Sequence, residues 1–312
     1  MPSVTSPTIL VYESGFTVVG PELSSCCLSF DRRLLADADA VVFHVPSVPD
    51  LRDIPKRPGQ IWAAWSMESD VNYPQLSNID YMKQFDLTMT YRFDSDVPCA
   101  YFGAHTPQQI VGRPLPKTER APLVYIASNS WDRSGRLAYV RELMLYLPVD
   151  SYGRSLNNRP LVEDRGVETK LEIYSRYKFT LAIENSRSRD YVTEKFFDPL
   201  TAGSVPVYFG APNIADFAPG ERSFVNVEQF HGPRELAEYL LYAAADPAEY
   251  ESYFIWKQRP LSNKFLSMVE RVSKSPFERL CAMLRASACS APVSRDPVHK
   301  VARWLEQKSK NS

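Results

Sequence analysis

Short apolar runs rich in β-branched and aromatic residues recur through the amino-terminal third of the chain. Thr8–Tyr12 (TILVY), Asp39–Val45 (DAVVFHV), Ile61–Met67 (IWAAWSM) and Phe85–Tyr91 (FDLTMTY) each predict a strand, the last with the alternation of a sheet face. Pro98 to Pro122, carrying Gly103, Gly112, Pro114 and Pro116, reads as an interdomain segment. A second set follows. Leu123–Ala127, Val149–Tyr152, Phe179–Ile183, Val205–Phe209 and Ser223–Val227 predict strands, and Arg136–Leu147 and Val167–Lys178 predict helices between them. Strand and helix in alternation predict a parallel sheet, hence an α/β protein. Amphipathic helical runs are expected at Arg234–Ala244, Asn263–Val272 and Val298–Gln307. The chain shows neither an internal repeat nor a low-complexity tract.

The stretch from Tyr177 to Gly210 organises the second half. The buried-type run Phe179–Ile183 ends in Glu184 and Asn185, two hydrogen-bonding side chains at the carboxyl end of a strand, where open α/β sheets bind ligands. A polar loop, Ser186 to Tyr191, leads to Thr193, which can cap a helix beginning with Glu194 and Lys195. Free N–H groups at that helix start, with the Lys195 cation, suit a phosphate; Glu194 puts a carboxylate beside it. Pro199 should kink or shorten this helix, and Gly203 should stop it. An ordinary strand–helix–strand unit with solvated first-turn charges would show the same spacing.

At 312 residues the chain is long for one core and comfortable for two domains. With 36 basic and 37 acidic residues it has no excess charge for a polyanion, which argues against nucleic acid as a partner. No apolar run approaches the roughly 20 residues that span a bilayer, and no basic-then-apolar leader opens the chain. Five cysteines cannot all pair, and their spacing fits neither a zinc nor a redox motif, so buried free thiols are the expectation.

The segment ENSRSRDYVTEKFFDPLTAGSVPVYFGAPNIADFAPG, Glu184 to Gly220, resembles the donor-binding signature of the α-1,3-fucosyltransferases, glycosyltransferase family 10. FFDPLTAGSVP and GAPNIADFAP are most similar to the plant-type enzymes that fucosylate the innermost GlcNAc of N-glycans. The resemblance runs from Ile9 to about Leu284. It implies a GT-B fold of two facing Rossmann-like domains, expected at 1–112 and 122–285, with a linker at 113–121 and a helical tail at 286–312. It implies inverting transfer of L-fucose from GDP-fucose to a GlcNAc-containing glycan, with no obligatory cofactor and a divalent metal at most stimulatory. Eukaryotic members are anchored Golgi proteins with disulfides near the carboxyl end, a pattern at best partial here. The implied compartment is the cytoplasm for a bacterial enzyme, or the Golgi lumen for the trimmed soluble part of a eukaryotic one.

Inverting transfer needs a base for the acceptor hydroxyl, stabilisation of an oxocarbenium-like sugar, and cations for the departing pyrophosphate. Ser66-Met67-Glu68-Ser69, at a strand end, resembles the family segment whose Glu is the proposed base, so Glu68 takes that role. Glu194 matches the carboxylate that stabilises developing positive charge; Lys195 matches the phosphate ligand, and Tyr191 a donor-site tyrosine. Ser128 and Asn129, followed by Arg136, resemble a segment whose arginine binds pyrophosphate, a task suited to a guanidinium. Arg133 offers an alternative register, and Arg136 alternatively opens a surface helix. Tyr152, Gly153 and Arg154 lie at another strand end, where Gly153 would let the backbone approach a nucleotide. Glu184 and Asn185 complete the expected nucleotide pocket, Glu184 accepting from ribose or fucose hydroxyls.

Asp94-Ser95-Asp96 has the spacing of a manganese-holding pair, as does Asp37-Ala38-Asp39, but such tripeptides are common and no metal site is expected. His44 and His105 lack partners at metal spacing and read as structural. A related transferase acting on N-acetyllactosamine or a bacterial polysaccharide, and a non-catalytic glycan-binding protein of the same fold, are the competing readings. Glu68, Glu194 and Lys195 together oppose the last, because buried charge is costly to a mere binder.

Overall fold

The structure is a computed structural model describing residues 6–13, 23, 25–104 and 107–288. The helix expected at Val298–Gln307, and with it His105 and Cys289, lies outside the described residues. The chain divides into two compact units, Met1–Ala100 with Arg271–Ser312, and Tyr101–Glu270.

In the first unit β1 (Thr8–Glu13), β2 (Cys27–Ser29), β3 (Ala40–His44), β4 (Ile61–Ser66) and β5 (Leu87–Thr90) form an all-parallel sheet in the order β2-β1-β3-β4-β5. Its strands are apolar on both sides because both faces are covered. Ile9, Val11, Ala40, Val42, Ala63 and Trp65 turn to one face. Leu10, Val41, Phe43, Trp62 and Ala64 turn to the other, against Tyr81 and Met82 of α1 (Ile79–Met82), which Asn78 caps. The edge strand β2 was not expected. It is three residues long and none of them is buried, too little for an alternating pattern.

The second unit begins with the single-turn α2 (Pro107–Ile110). It continues β6 (Leu123–Ile126), α3 (Arg136–Leu143), β7 (Val149–Tyr152), α4 (Val167–Arg176), β8 (Phe179–Ile183), α5 (Glu194–Ala202), β9 (Val205–Phe209) and β10 (Val225–Asn226). α6 (Pro233–Ala245), α7 (Pro247–Ser252) and α8 (Asn263–Arg271) complete it. The sheet is again all parallel, in the order β10-β9-β8-β6-β7. From β6 the chain steps first to one side and then to the other, as it does from β1, so both sheets share one topology. The switch point of this sheet lies between β6 and β8, the place where such sheets bind ligands.

Two expectations need correction. The last described helix, α9 (Pro276–Ala288), belongs to the amino-terminal unit: Phe277, Leu280, Cys281 and Leu284 pack on the Ile9–Trp65 face. The second unit therefore stops at Glu270, short of the expected 285, and begins at Tyr101 rather than after a linker. The free-thiol expectation also fails in part, because Cys26 and Cys281 form a disulfide across 255 residues. Cys99 is a buried free thiol and Cys27 an exposed one. Among the described residues, no helix is long and apolar enough to cross a membrane.

Candidate active site

The carboxyl end of β8 supplies Glu184, whose side chain is wholly buried. It fits because Gly210 has no side chain: a Cβ there would lie 2.6 Å from Glu184 Cγ. The carboxylate accepts from Thr193 N–H at 2.8 Å and from Thr193 Oγ1 at 2.9 Å. Thr193 also caps α5 as expected, its Oγ1 accepting from Lys195 N–H at 3.3 Å. Lys195 Nζ lies 3.3 Å from Glu184, 3.2 Å from Glu194 and 3.0 Å from Thr193 Oγ1. The result is one ammonium between two carboxylates at a helix start. α5 runs through Pro199 and ends at Gly203, so the expected break is only a short helix.

Burial alone would pull the Lys195 pKa down, but the two carboxylates outweigh it and hold the ammonium well above its ordinary value. Burial raises Glu184, offset in part by Lys195 and the Thr193 donors. Glu194 is 40% exposed at its side chain. Burial pushes it up, yet Lys195 and then Lys170 bring it below the usual carboxylate range. The expectation that Glu184 receives ribose or fucose hydroxyls is corrected: no part of it meets solvent, and both oxygens hold the start of α5.

The loop between β8 and α5 is fixed from the far end of the motif. Asp190 adopts φ 64°, a left-handed conformation that a non-glycine residue holds only under constraint. Asn213 supplies the constraint, accepting from Asp190 N–H at 2.9 Å and donating to its carboxylate at 2.8 Å. Asp216 anchors Asn213 at 3.1 Å and is itself held by Lys264 at 2.5 Å. Tyr191 is buried, its ring edge-on to Tyr101 and its carbonyl accepting from Tyr208 Oη at 3.3 Å. It holds the loop rather than presenting a ring to a donor, a second correction.

The β6–α3 loop crosses the end of β8. Ser128 and Asn129 are exposed. Asp132 caps α3 by accepting from Arg136 and Leu137 N–H, both at 2.9 Å. Arg133 N–H donates to Asn185 O at 2.7 Å, and Ser134 Oγ to Glu184 O at 2.6 Å, which staples this loop to β8 across the switch point. Arg136 is not on a surface helix. It is fully buried, its guanidinium donating to Asn129 O at 2.6 Å, Trp131 O at 3.3 Å and Ile183 O at 3.5 Å. Nε alone has no partner. Arg133, by contrast, is exposed.

At the end of β7, Tyr152 Oη lies 3.1 Å from Tyr177 Oη, which donates to Asp150 at 2.8 Å. Gly153 has φ 83°, and a Cβ there would stand 2.5 Å from Ala127 O. The glycine is demanded by the main chain at the end of β6, not by a nucleotide. Arg154 is exposed and Asn185 buried.

In the other unit, Glu68 follows β4 and is half-buried. Ser66, fully buried, accepts from Glu68 N–H at 3.1 Å and donates to Glu68 O at 3.0 Å, which fixes the backbone there. Next to it Asp70 is buried and accepts from Tyr91 Oη at 3.1 Å and Ser77 Oγ at 3.2 Å. Asp94 is paired with Arg92 at 2.5 Å, and Asp96 accepts from Thr88 N–H and Oγ1, both at 3.0 Å. Asp39 accepts from Thr8 N–H at 2.8 Å. His44 is buried against Ser47, 2.7 Å from Nδ1, and burial pulls its pKa down to about 4. Among the described residues no group of three or more His, Cys, Asp or Glu side chains could hold a metal.

Asp132, Asn213 and the pair of half-buried Lys170 with buried Asp198 were not anticipated. Asp198 carried a readable signal, an acid inside the apolar run FFDPL. An Asp four residues before the start of a helix was another.

The amino-terminal region, residues 5–102, matches the model of the fucosyltransferase N-terminal domain. Residues 116–304 match the C-terminal domain model of glycosyltransferase family 10 (fucosyltransferase). A chimpanzee 4-galactosyl-N-acetylglucosaminide 3-alpha-L-fucosyltransferase is 39% identical over 76% of this chain and 67% of its own length. A putative fucosyltransferase-like protein of Arabidopsis thaliana is 38% identical over 73% of this chain and 44% of its own. A dog GDP-fucose protein O-fucosyltransferase 3 is 36% identical over 74% and 51%. The chain thus spans about half the length of several curated relatives. An α1,3-fucosyltransferase crystal structure with GDP-fucose superposes with a TM-score of 0.54 at 20% identity, covering 95% of each chain. That likeness carries the GT-B fold, which the two parallel-sheet units share. With both halves matched, the chain belongs to glycosyltransferase family 10, the fucosyltransferases.

Proposed function

We propose that this protein transfers L-fucose from GDP-β-L-fucose to the 3-hydroxyl of a GlcNAc residue, with inversion at the anomeric carbon. The observation that carries the reading is Lys195 held between Glu184 and Glu194 at the sheet's switch point. An ammonium there is placed for the donor's phosphates, with exposed Arg133 and Arg154 as further cations from the ends of β6 and β7. Glu194, partly exposed and held ionised, stabilises positive charge developing on the fucosyl ring. Arg136 and Glu184 lie one layer beneath as positioning residues. Glu68 takes the acceptor's proton as the fucosyl–phosphate bond breaks, and GDP leaves with the bonding electrons. No obligatory metal is proposed; Asp94 and Asp96 are engaged by Arg92 and Thr88.

The motif's plant-like sequence favours the innermost GlcNAc of an N-glycan core as acceptor. The 39% identity to the chimpanzee enzyme favours N-acetyllactosamine as the second reading. GDP release from GDP-fucose is measured with chitobiose, an N-glycan core, N-acetyllactosamine and lactose, each with EDTA or manganese. Turnover on chitobiose or the core that survives EDTA is expected. Turnover on N-acetyllactosamine alone replaces the acceptor, and none on any acceptor removes the reading. Glu68→Gln is expected to lose roughly 10²–10⁴-fold in turnover while still binding GDP.

A further inference from the structure

The Lys170–Asp198 pair lies outside the groups assigned above. Lys170 is on α4, and its ammonium meets the Asp198 carboxylate, which is 2% exposed. Asp198 is one turn beyond Glu194 on α5, so both acids sit on one face of that helix. The two helices pack together, and Tyr174, one turn beyond Lys170, is buried on α4. We propose that Lys170 is a positioning residue for Glu194: from α4 it supplies the positive charge that keeps this carboxylate ionised and in place once Lys195 engages the donor's phosphates. This rests on the role given to Glu194 above.

Lys195 cannot perform both tasks at full strength. It is shared between Glu184 and Glu194, and a pyrophosphate would compete for the same ammonium. Without a second cation, Glu194 would face Glu184 from β8 and Asp198 from its own helix. Like charges so placed favour protonation of one of them. The other titratable groups on the elements packed against α5 are Glu168, Glu172, Tyr174 and Arg176 on α4, Tyr208, whose phenol faces Glu184, and Tyr101, whose ring meets Tyr191. Of these only Arg176 is a cation, and it ends α4, paired with Glu172. Lys170 is the cation on this face that no donor group is proposed to claim, and it already acts on Glu194 in the lowering direction.

Removing Lys170 alone would take the ion-pair partner from a buried Asp198, so the test compares two variants that both lack that acid. In protein labelled with 13C at glutamate Cδ, the Glu194 resonance is assigned by its loss in Glu194→Gln and followed against pH. Its midpoint is expected at higher pH in Asp198→Asn/Lys170→Met than in Asp198→Asn, and restored in Asp198→Asn/Lys170→Arg. Turnover of GDP-fucose should follow, roughly tenfold lower than Asp198→Asn at pH 5.5 and within about twofold at pH 8. An unchanged midpoint overturns the inference. A shifted midpoint in a protein without fucosyl transfer would uphold Lys170's hold on Glu194 and sink the proposed function instead.

Discussion

The carboxyl ends of β4 and β8 belong to two sheets of identical strand order, yet they are finished in opposite ways. At the end of β8, Glu184 and Glu194 close on Lys195, and Asp198 on Lys170. Acids and bases interlock there, and the groups that hold them are themselves capped or buried. Around the β4 end the bonds are of another kind. Ser66 fixes the backbone of Glu68, and Asp70 is satisfied by two hydroxyls. Buried charge is costly to desolvate and persists only where opposite charge and hydrogen bonds compensate it. An ionic end so built is rigid and suits a donor with its own fixed charges. On the function proposed above, the same topology serves donor holding in one unit and proton transfer at Glu68 in the other.

The sharpest way to break that contrast is to neutralise one acid in each unit. Glu184→Gln leaves Lys195 short of a buried counter-charge and offers an amide where Thr193 needs an acceptor. It should cost about 3–5 kcal/mol of stability and most of the GDP affinity. Glu68→Gln should change stability by no more than about 0.5 kcal/mol. Denaturant melts of the two variants, with GDP titrations, measure both. Equal costs would mean that the two strand ends are not differently built.

A smaller effect is expected from pH, and it belongs to the amino-terminal unit. His44 is buried beside Trp65, ring centroids 5.3 Å apart, and burial takes its pKa from 6.5 to about 4. Between those values the unfolded chain binds a proton that the folded chain does not. Stability is therefore complete above pH 6.5 and falls as pH drops toward 4, by about 3 kcal/mol at most from this group. His44→Asn should remove that part of the acid loss. Unfolding at pH 7 and pH 4.5, wild type against variant, reads the difference directly. A wild type no more acid-sensitive than the variant would show that His44 is protonated in the folded protein.

Much of this was legible in the sequence. The expected strand runs survive to within two residues at either end because a parallel sheet covered on both faces demands continuous apolar stretches. The Thr193 cap and the Gly203 stop follow local rules and held. What sequence could not show was depth and partnership. Glu184, Tyr191 and Arg136 were expected to meet a ligand, yet each is buried and bonded to the protein; their residue types alone do not distinguish touching a ligand from holding what touches it. Gly153 was read as room for a nucleotide and is room for a carbonyl. The disulfide and the return of α9 were hidden for another reason. The disulfide joins positions 255 residues apart, and α9 returns to strands near the start of the chain, both beyond any local signal.

The smallest prediction tests whether the β8 end is packed as tightly as it is charged. In Gly210→Ala the new Cβ would lie 2.6 Å from both Glu184 Cγ and Tyr208 Oη, closer than such contacts tolerate. Neither neighbour yields easily. Glu184 is pinned by Thr193 and Lys195, and Tyr208 Oη is tied to the main chain at Ala211 and Tyr191. The substitution should cost about 1–3 kcal/mol and weaken GDP-fucose binding, because moving Glu184 moves the start of α5. A thermodynamic cycle separates steric strain from a general fault at this turn. In a Glu184→Ala background the offending Cγ is gone, so the cost of Gly210→Ala should fall to that of the Tyr208 contact and the milder 3.0 Å approach to the Cβ of residue 184. If the cost is unchanged, Glu184 is not held where the network requires, and the ionic end of this unit is looser than its distances imply.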